Sequence, residues 1–221
     1  KYSSYGTSAL GWNGNAADPR PDYYKKFPSS AFNVYTDIPT EDQLNQFNAL
    51  TDRWKNNKAT RQLDWDMMYF ANSQANELGK EALYYVEERH NDQLAFNFSS
   101  VFNHAINEHN NYVAGIAVNT TKGMHFKKMK DLLDIDKFSV RDYGVNSYII
   151  QNDLDNPDRR IGEGDKFGYD YNIYVNKQNV WARYQGNSGA FNYFVSGKIG
   201  SAQMFRDGLM RNGRAPLKSL G

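Results

Sequence analysis

The sequence predicts an all-β protein, the wall of an antiparallel transmembrane β-barrel with helical insertions in its outer loops. Three observations carry that expectation. The first is a period of two between Leu94 and Ile106. Leu94, Phe96, Phe98, Phe102 and Ile106 fall on one side, interrupted by Ser100 and His104; Ala95, Asn97, Ser99, Val101, Asn103, Ala105 and Asn107 fall on the other. Neighbouring side chains on a strand point to opposite faces, so one face is greasy and the other small and polar. A polar face of Asn, Ser and Ala suits a hydrated, crowded lumen better than the Lys and Glu that usually meet bulk water. The second observation is composition: 15% aromatic residues with 16 Tyr, yet only 40% hydrophobic residues. No apolar run approaches the roughly 20 residues of a spanning helix, whereas a barrel strand shows lipid only every second residue. The third is an alternation of short turns with long, polar connections, the asymmetry of outer-membrane barrels.

The elements follow in order. Tyr5 to Trp12 reads as the outer end of a rising strand, and Asn13 to Ser30, rich in Pro, Gly, Asn and Asp, as irregular. Pro39-Thr40-Glu41-Asp42-Gln43 opens a helix with a Thr-x-x-Gln capping box, followed by Leu44, Phe47, Leu50 (or Thr51) and Trp54 at helical spacing. A second short helix is predicted from Trp65 to Asn72. Strands are then expected over 84–106, 112–127, 166–185 and 190–206, running inward, outward, inward and outward. Asn107 to Asn111 and Gly186 to Gly189 carry tight-turn chemistry. The expected division is 1–83, an outer strand end plus a long external loop with helices; 84–127, a hairpin; 128–165, an external loop; 166–206, a second hairpin; and 207–221, the start of another external loop. In the third long strand the apolar phase changes after Val175, continuing at Val180, Ala182 and Tyr184, which predicts a bulge near Lys177 to Asn179. Phe96, Phe98, Ile116, Val118, Ile173, Val195 and Ile199 are expected to face lipid, and Asn97, Asn119, Asn172 and Ser196 the lumen.

Charge and residue types narrow the function classes. A formal net charge of +1 recruits neither nucleic acid nor an anionic surface by bulk electrostatics. The absence of cysteine removes disulfide scaffolds, thiol nucleophiles and thiolate metal sites. The chain opens on Lys1-Tyr2-Ser3-Ser4-Tyr5 and closes at Leu220-Gly221, and it reads as an internal piece of a longer protein.

Several stretches go further. Ala9-Leu10-Gly11-Trp12, Asp18-Pro19-Arg20-Pro21-Asp22-Tyr23-Tyr24-Lys25-Lys26, Leu63-Asp64-Trp65-Asp66, Glu87-Glu88-Arg89-His90-Asn91-Asp92 and Gln151-Asn152-Asp153-Leu154-Asp155-Asn156-Pro157 stand in a recognisable order. So do Gly164-Asp165-Lys166-Phe167-Gly168-Tyr169-Asp170-Tyr171 and Phe205-Arg206-Asp207-Gly208-Leu209-Met210-Arg211-Asn212-Gly213. Together they resemble the barrel of TonB-dependent outer-membrane receptors of the Bacteroidetes type, along nearly the whole chain. The resemblance implies part of a barrel of about 22 strands closed by a plug, in the bacterial outer membrane. It implies energy-coupled uptake of a scarce solute, such as an iron chelate, cobalamin, a glycan or a peptide. The implied partners are outer-membrane lipid, the small solute, and a TonB-type coupling protein gripped by an N-terminal part outside this chain. A surface lipoprotein is a further partner in the family, and no residue pattern here ties the chain to one.

The search for chemistry ends in binding and not in catalysis. His90, His104, His109 and His125 have no ligand spacing. Glu87 and Glu88 are adjacent and point to opposite faces of a strand, Gly162-Glu163-Gly164 opens no phosphate cradle, and no nucleophile elbow is present. The sequons at Asn97 and Asn119 carry no meaning in a bacterial outer membrane. No enzyme activity, cofactor or metal is expected; Asp153, Asp155 and Asp158 form a weak calcium candidate against a default of solvated Asx-turns. The ligand-binding candidates are Trp12, Arg20, Tyr23 and Tyr24 in the first external loop, with Trp54 and Trp65 on its helices. Exposed aromatics and Arg supply stacking and bidentate contacts; the alternative is packing of the loop on itself. Two rival readings remain, a passive outer-membrane porin and a soluble β-rich glycan-binding module. A small helical subdomain of a soluble α+β protein is the alternative for the first eighty residues.

Overall fold

Long runs of alternating residues form one antiparallel meander of two hairpins, each closed by a two-residue turn, joined by the long connection 132–165. The computed structural model describes residues 2–3, 6–12, 16–32, 38–135, 138–139, 141–142 and 150–220. The strands are β1 (Tyr2–Ser3), β2 (Gly6–Trp12), β3 (Tyr84–Asn107), β4 (Asn110–Asp131), β5 (Phe138–Ser139), β6 (Arg141–Asp142), β7 (Ile150–Gln151), β8 (Arg160–Ile161), β9 (Lys166–Ser188) and β10 (Phe191–Gly208). The helices are α1 (Glu41–Asn56) and α2 (Trp65–Glu77). The main sheet runs β1-β3-β4-β9-β10, with β2 also on β3, and it is open among the described residues. β6 pairs with β7 in a separate antiparallel ladder. The four long strands hold 24, 22, 23 and 18 residues, well beyond the usual five or six.

β3, β4 and β9 extend into the predicted turns, while β10 begins one residue later than predicted, at Phe191. Glu108-His109 and Gly189-Ala190 are the turn residues, and Gly189 takes φ +60°, the left-handed region that two-residue hairpins demand. The predicted bulge at Lys177 to Asn179 does not form. Pairing of β9 with β4 runs unbroken from Gly186↔Asn110 to Asp170↔Phe126, and the irregularity lies beyond, where Lys127 pairs with Phe167. Gly168 and Tyr169 therefore have no opposite number on β4, and Gly168 absorbs the kink at φ +76°.

The unbroken register sorts side chains into faces. Tyr112, Tyr184 and Val195 form one cross-strand row; Ala114, Ala182 and Gly197 the next; then Ile116, Val180 and Ile199, and then Val118, Gln178 and Ser201. The opposite face reads Val113, Arg183 and Ser196; Gly115, Trp181 and Lys198; Ala117, Asn179 and Gly200; and Asn119, Lys177 and Ala202. Asn119 hydrogen-bonds Asn97 across to β3, which places Asn97 on this polar face and Phe96 and Phe98 on the apolar one. Two assignments are corrected. Without a bulge, Ile173 shares the face of Asn179 and Arg183, and Asn172 shares that of Val180. The apolar pattern loses phase above Gln178 while the backbone does not.

The chain divides into two compact units, one of Lys1–Ala9, Glu87–Met129 and Val140–Gly221, the other of Leu10–Val86 and Lys130–Ser139. The first holds the sheet faces just described. In the second, Met68, Tyr84 and Leu133 are the buried core, with Leu10, Trp12, Leu63 and Val86 packed on it. α1 begins where predicted: the Thr40 hydroxyl accepts the Gln43 N–H at 3.3 Å, and the Gln43 side chain accepts the Thr40 N–H at 2.9 Å. Phe47 meets Phe32 at 4.9 Å between centroids, and Trp54 meets Phe27 at 5.3 Å. α2 is capped by Asp64, which accepts the Met67 N–H at 2.9 Å. It runs past the predicted end at Asn72 to Glu77.

Asn72 holds this unit together. Its side chain is fully buried; Nδ2 donates to the carbonyls of Tyr84 (2.8 Å), Leu132 (3.0 Å) and Leu133 (3.2 Å). Oδ1 accepts the N–H groups of Leu83 (2.9 Å) and Tyr84 (3.0 Å). One amide thus ties α2 to the start of β3 and to the chain leaving β4. Leu133 and Asp134 there have φ +52° and +66°, a left-handed geometry that non-glycine residues hold only when their surroundings over-determine it. Burial of the Leu133 side chain and the Asn72 bond to its carbonyl supply that determination.

Candidate functional site

The nominated loop residues fall into pairs and not one cluster. Arg20 lies 5.0 Å over the Trp12 ring and grips Asp18 with Nη2 at 2.6 Å and Nε at 3.0 Å. That guanidinium holds the Asp18 carboxyl below the usual range, against a smaller upward push from desolvation, and the Lys26 charge adds to the lowering. Trp12 itself packs half-buried on the Met68–Tyr84–Leu133 core. Tyr84 donates its hydroxyl to the Ala17 carbonyl at 2.9 Å, and burial raises its pKa, with the Asp18 charge adding a smaller push. Tyr23 and Tyr24 meet edge to face at 4.9 Å, and Tyr24 stays exposed. Trp54 is turned inward: its Nε1 donates to the Lys26 carbonyl at 2.8 Å. Trp65, the first residue of α2, is exposed. For Trp12 and Trp54 loop and core packing is the principal contact, and Tyr24 and Trp65 keep open rings.

Beside these residues lies a groove of about 510 Å³ that sequence reasoning missed. One wall comes from the irregular segment around Lys25 and Lys26, the other from the C-terminal half of α1 (Leu50 and Arg53) and the turn after it. Among the described residues no carboxylate forms an ion pair with Lys25, Lys26 or Arg53. Lys25 lies 5.9 Å over the Tyr24 ring, and Lys26 donates to the Arg20 carbonyl at 2.9 Å. Asp64, the one acidic residue on the wall, is occupied as the cap of α2. The signal in the sequence was the Lys25-Lys26 pair; Arg53 joins it only through the fold.

The sheet unit carries a cleft of about 740 Å³ at its hairpin ends. Asn110 is engaged: its Oδ1 accepts the hydroxyls of Tyr184 (2.8 Å) and Tyr193 (3.1 Å), and its Nδ2 donates to Asn107 at 3.0 Å, whereas Asn111 Oδ1 is buried without a hydrogen-bond partner. At the other end of the sheet, buried Glu87 accepts from Arg89 (2.7 Å) and Lys127 (2.9 Å), while Lys127 caps the Phe167 ring at 4.4 Å. His90 stacks on Phe126 at 4.6 Å, with Glu88 at 3.2 Å. Glu87 is thus doubly paired, while His90 Nδ1 lies 3.6 Å from Asp92 and is buried without a hydrogen bond.

The three acidic residues of the calcium candidate each have a protein partner. Asp153 accepts the Asp155 N–H (3.1 Å) and the Asn156 side chain (2.9 Å). Asp155 pairs with Arg211 at 2.7 Å, and Asp158 accepts from Gln151 at 2.9 Å. Among the described residues no three His, Cys, Asp or Glu side chains are grouped to hold a metal. No protein-family profile matches the chain, and a search of curated proteins finds no match either.

Proposed function

We propose that the chain is part of the wall and outer loops of a TonB-dependent receptor barrel in a bacterial outer membrane, serving energy-coupled uptake of a scarce solute. One observation carries the reading: the two faces of a single continuous sheet differ in chemistry although both carry exposed side chains. Ile199 is 78% exposed, Val195 67% and Val180 52%, all on one face. Arg183, Lys198, Asn179 and Lys177 stand on the other. A soluble sheet would cover such an apolar face with a second layer. Lipid covers it at no cost, while a hydrated lumen receives the charges. The run from Tyr193 to Ser201 matches the roughly 9–11 residues with which a tilted strand crosses the hydrocarbon. Tyr112, Tyr184 and Tyr193 sit at its lower edge, and Tyr174 stacks on Phe205 at 4.8 Å farther up, an arrangement that suits interfacial aromatic girdles.

An open sheet is not stable in a bilayer, because unpaired edge groups have no water to bond. The reading therefore assigns the partners of β10's outer edge to the rest of a closed barrel. The test is assembly of the parent receptor with Arg placed at Val180 or at Asn179. Loss of assembly for the first alone supports the lipid face. Equal tolerance of both favours a water-bathed sheet, the soluble glycan-binding alternative.

A further inference from the structure

We infer that the groove between the Lys25–Lys26 segment and α1 binds an anionic, hydroxyl-bearing small molecule of sugar-acid or sugar-phosphate character. This names the ligand class of the receptor proposed above and rests on that reading only for its consequence in uptake. Three cations line the groove walls, Lys25, Lys26 and Arg53; the Asp18 charge is felt at Lys26, but among the described residues none of the three forms an ion pair with a carboxylate. Like charges without an ion-pair partner repel one another, and an anion relieves that repulsion while accepting charge-assisted hydrogen bonds. Arg53 supplies a planar fork that matches a carboxylate or phosphate, and Lys25 a point charge.

The rest of the wall sets the size and the non-ionic part of the ligand. Asn57 and Gln62 line the groove with amides, and Thr60 with a hydroxyl. Asn57 Oδ1 is used to accept the Ala59 N–H at 2.9 Å, so its Nδ2 donors remain for ligand oxygens. Pro21, Leu50 and Met67 give an apolar strip on which the C–H face of a ring can rest. A volume of about 510 Å³ falls inside the range of small-molecule sites and admits a mono- or disaccharide-sized ligand.

The experiment is calorimetric titration of the intact parent protein, purified in detergent, with glucuronate, glucose 6-phosphate and glucose, at low salt and at 0.5 M salt (about a 4 Å screening length). Both anions should bind better than glucose by roughly tenfold or more, with affinity falling as salt rises. The double variant Lys25→Ala/Arg53→Ala, altering two exposed side chains, should lose that preference while its thermal unfolding stays unchanged. Preference for only one of the two anions assigns the groove to carboxylate or to phosphate. Glucose binding as strongly as the acids, a double variant that binds as before, or no binding of any probe would each overturn the inference. Failure of the membrane reading registers elsewhere, in the tolerance of Val180→Arg, so the two failures are distinguishable.

Discussion

Replacing Asn72 by Leu keeps the branching and heavy-atom count of the side chain, in a somewhat larger volume, and leaves five backbone groups without their partner. The Tyr84 N–H is the costliest, because Tyr84 is buried; an orphaned buried donor costs about 1–3 kcal/mol. The Leu83 N–H is half-buried and costs less, since water reaches it. The carbonyls of Tyr84, Leu132 and Leu133 each lose one donor, which brings the loss to about 3–6 kcal/mol. Burying the Leu methyl groups returns about 1–2 kcal/mol, for a net cost of about 2–4 kcal/mol. The assay is hydrogen exchange at the Leu83 and Tyr84 amides, where protection should fall by roughly 30- to 700-fold at one decade per 1.4 kcal/mol. Asn72→Asp separates amide chemistry from volume. It keeps the acceptor for both N–H groups but turns a carboxylate toward three carbonyls, so it should be no more protected than the Leu variant. Unchanged exchange in the Leu variant, or wild-type behaviour of the Asp variant, would refute the reasoning.

Further expectations concern the faces, the topology, the loop and the helix. Ile199→Arg should cost about 2–4 kcal/mol of barrel stability in lipid, whereas Ser196→Arg on the polar face should be mild, read by urea titration in bilayers. In the parent receptor on living cells, cysteine labels near Asp18 or Asn152 should react with an impermeant reagent, and labels at His109 or Ser188 should not; the reversed pattern would invert the orientation. The Asp18–Arg20 pair should persist from neutral pH down through the ordinary carboxylate value of about 3.9. Its folded-state pKa is lowered, so its contribution is complete above that value and is lost only as pH falls through the lower one. The indole signal of Trp12 should report that loss, and a midpoint near 6 would assign the transition to another group. Thr40→Ala should destabilise α1 by about 1 kcal/mol, visible as fraying of Glu41 to Gln43 in amide exchange.

The strands were legible because a period of two survives any tertiary context that buries or wets one face. α1 was legible because Thr40 and Gln43 cap it locally. What was not legible depended on distant pairing. The change of phase between Val175 and Val180 mimics a bulge, yet the register is continuous: the apolar side chains change parity while the pairing does not. The end of α2 was hidden for a related reason. Asn72 and Ala75 are buried, but a polar and a small residue do not look like core. Asn72 is buried because partners 12 and about 60 positions away complete its bonds. The candidate site was half legible. Of the aromatic residues singled out in the first eighty positions, Trp12 and Trp54 serve packing. The groove cations escaped notice because Arg53 joins Lys25 and Lys26 only when α1 folds beside them.

The central claim is that one face of the β4–β9–β10 sheet meets lipid and the other water. Nitroxide labels placed one at a time from Tyr193 to Ala202 on β10, in the parent receptor within bilayers, test it most directly through collision with oxygen and with a water-soluble nickel chelate. The account predicts a period of two, with oxygen favoured at Val195, Gly197 and Ile199 and the chelate favoured at Ser196, Lys198 and Gly200. Equal access of the chelate to both sets would contradict it.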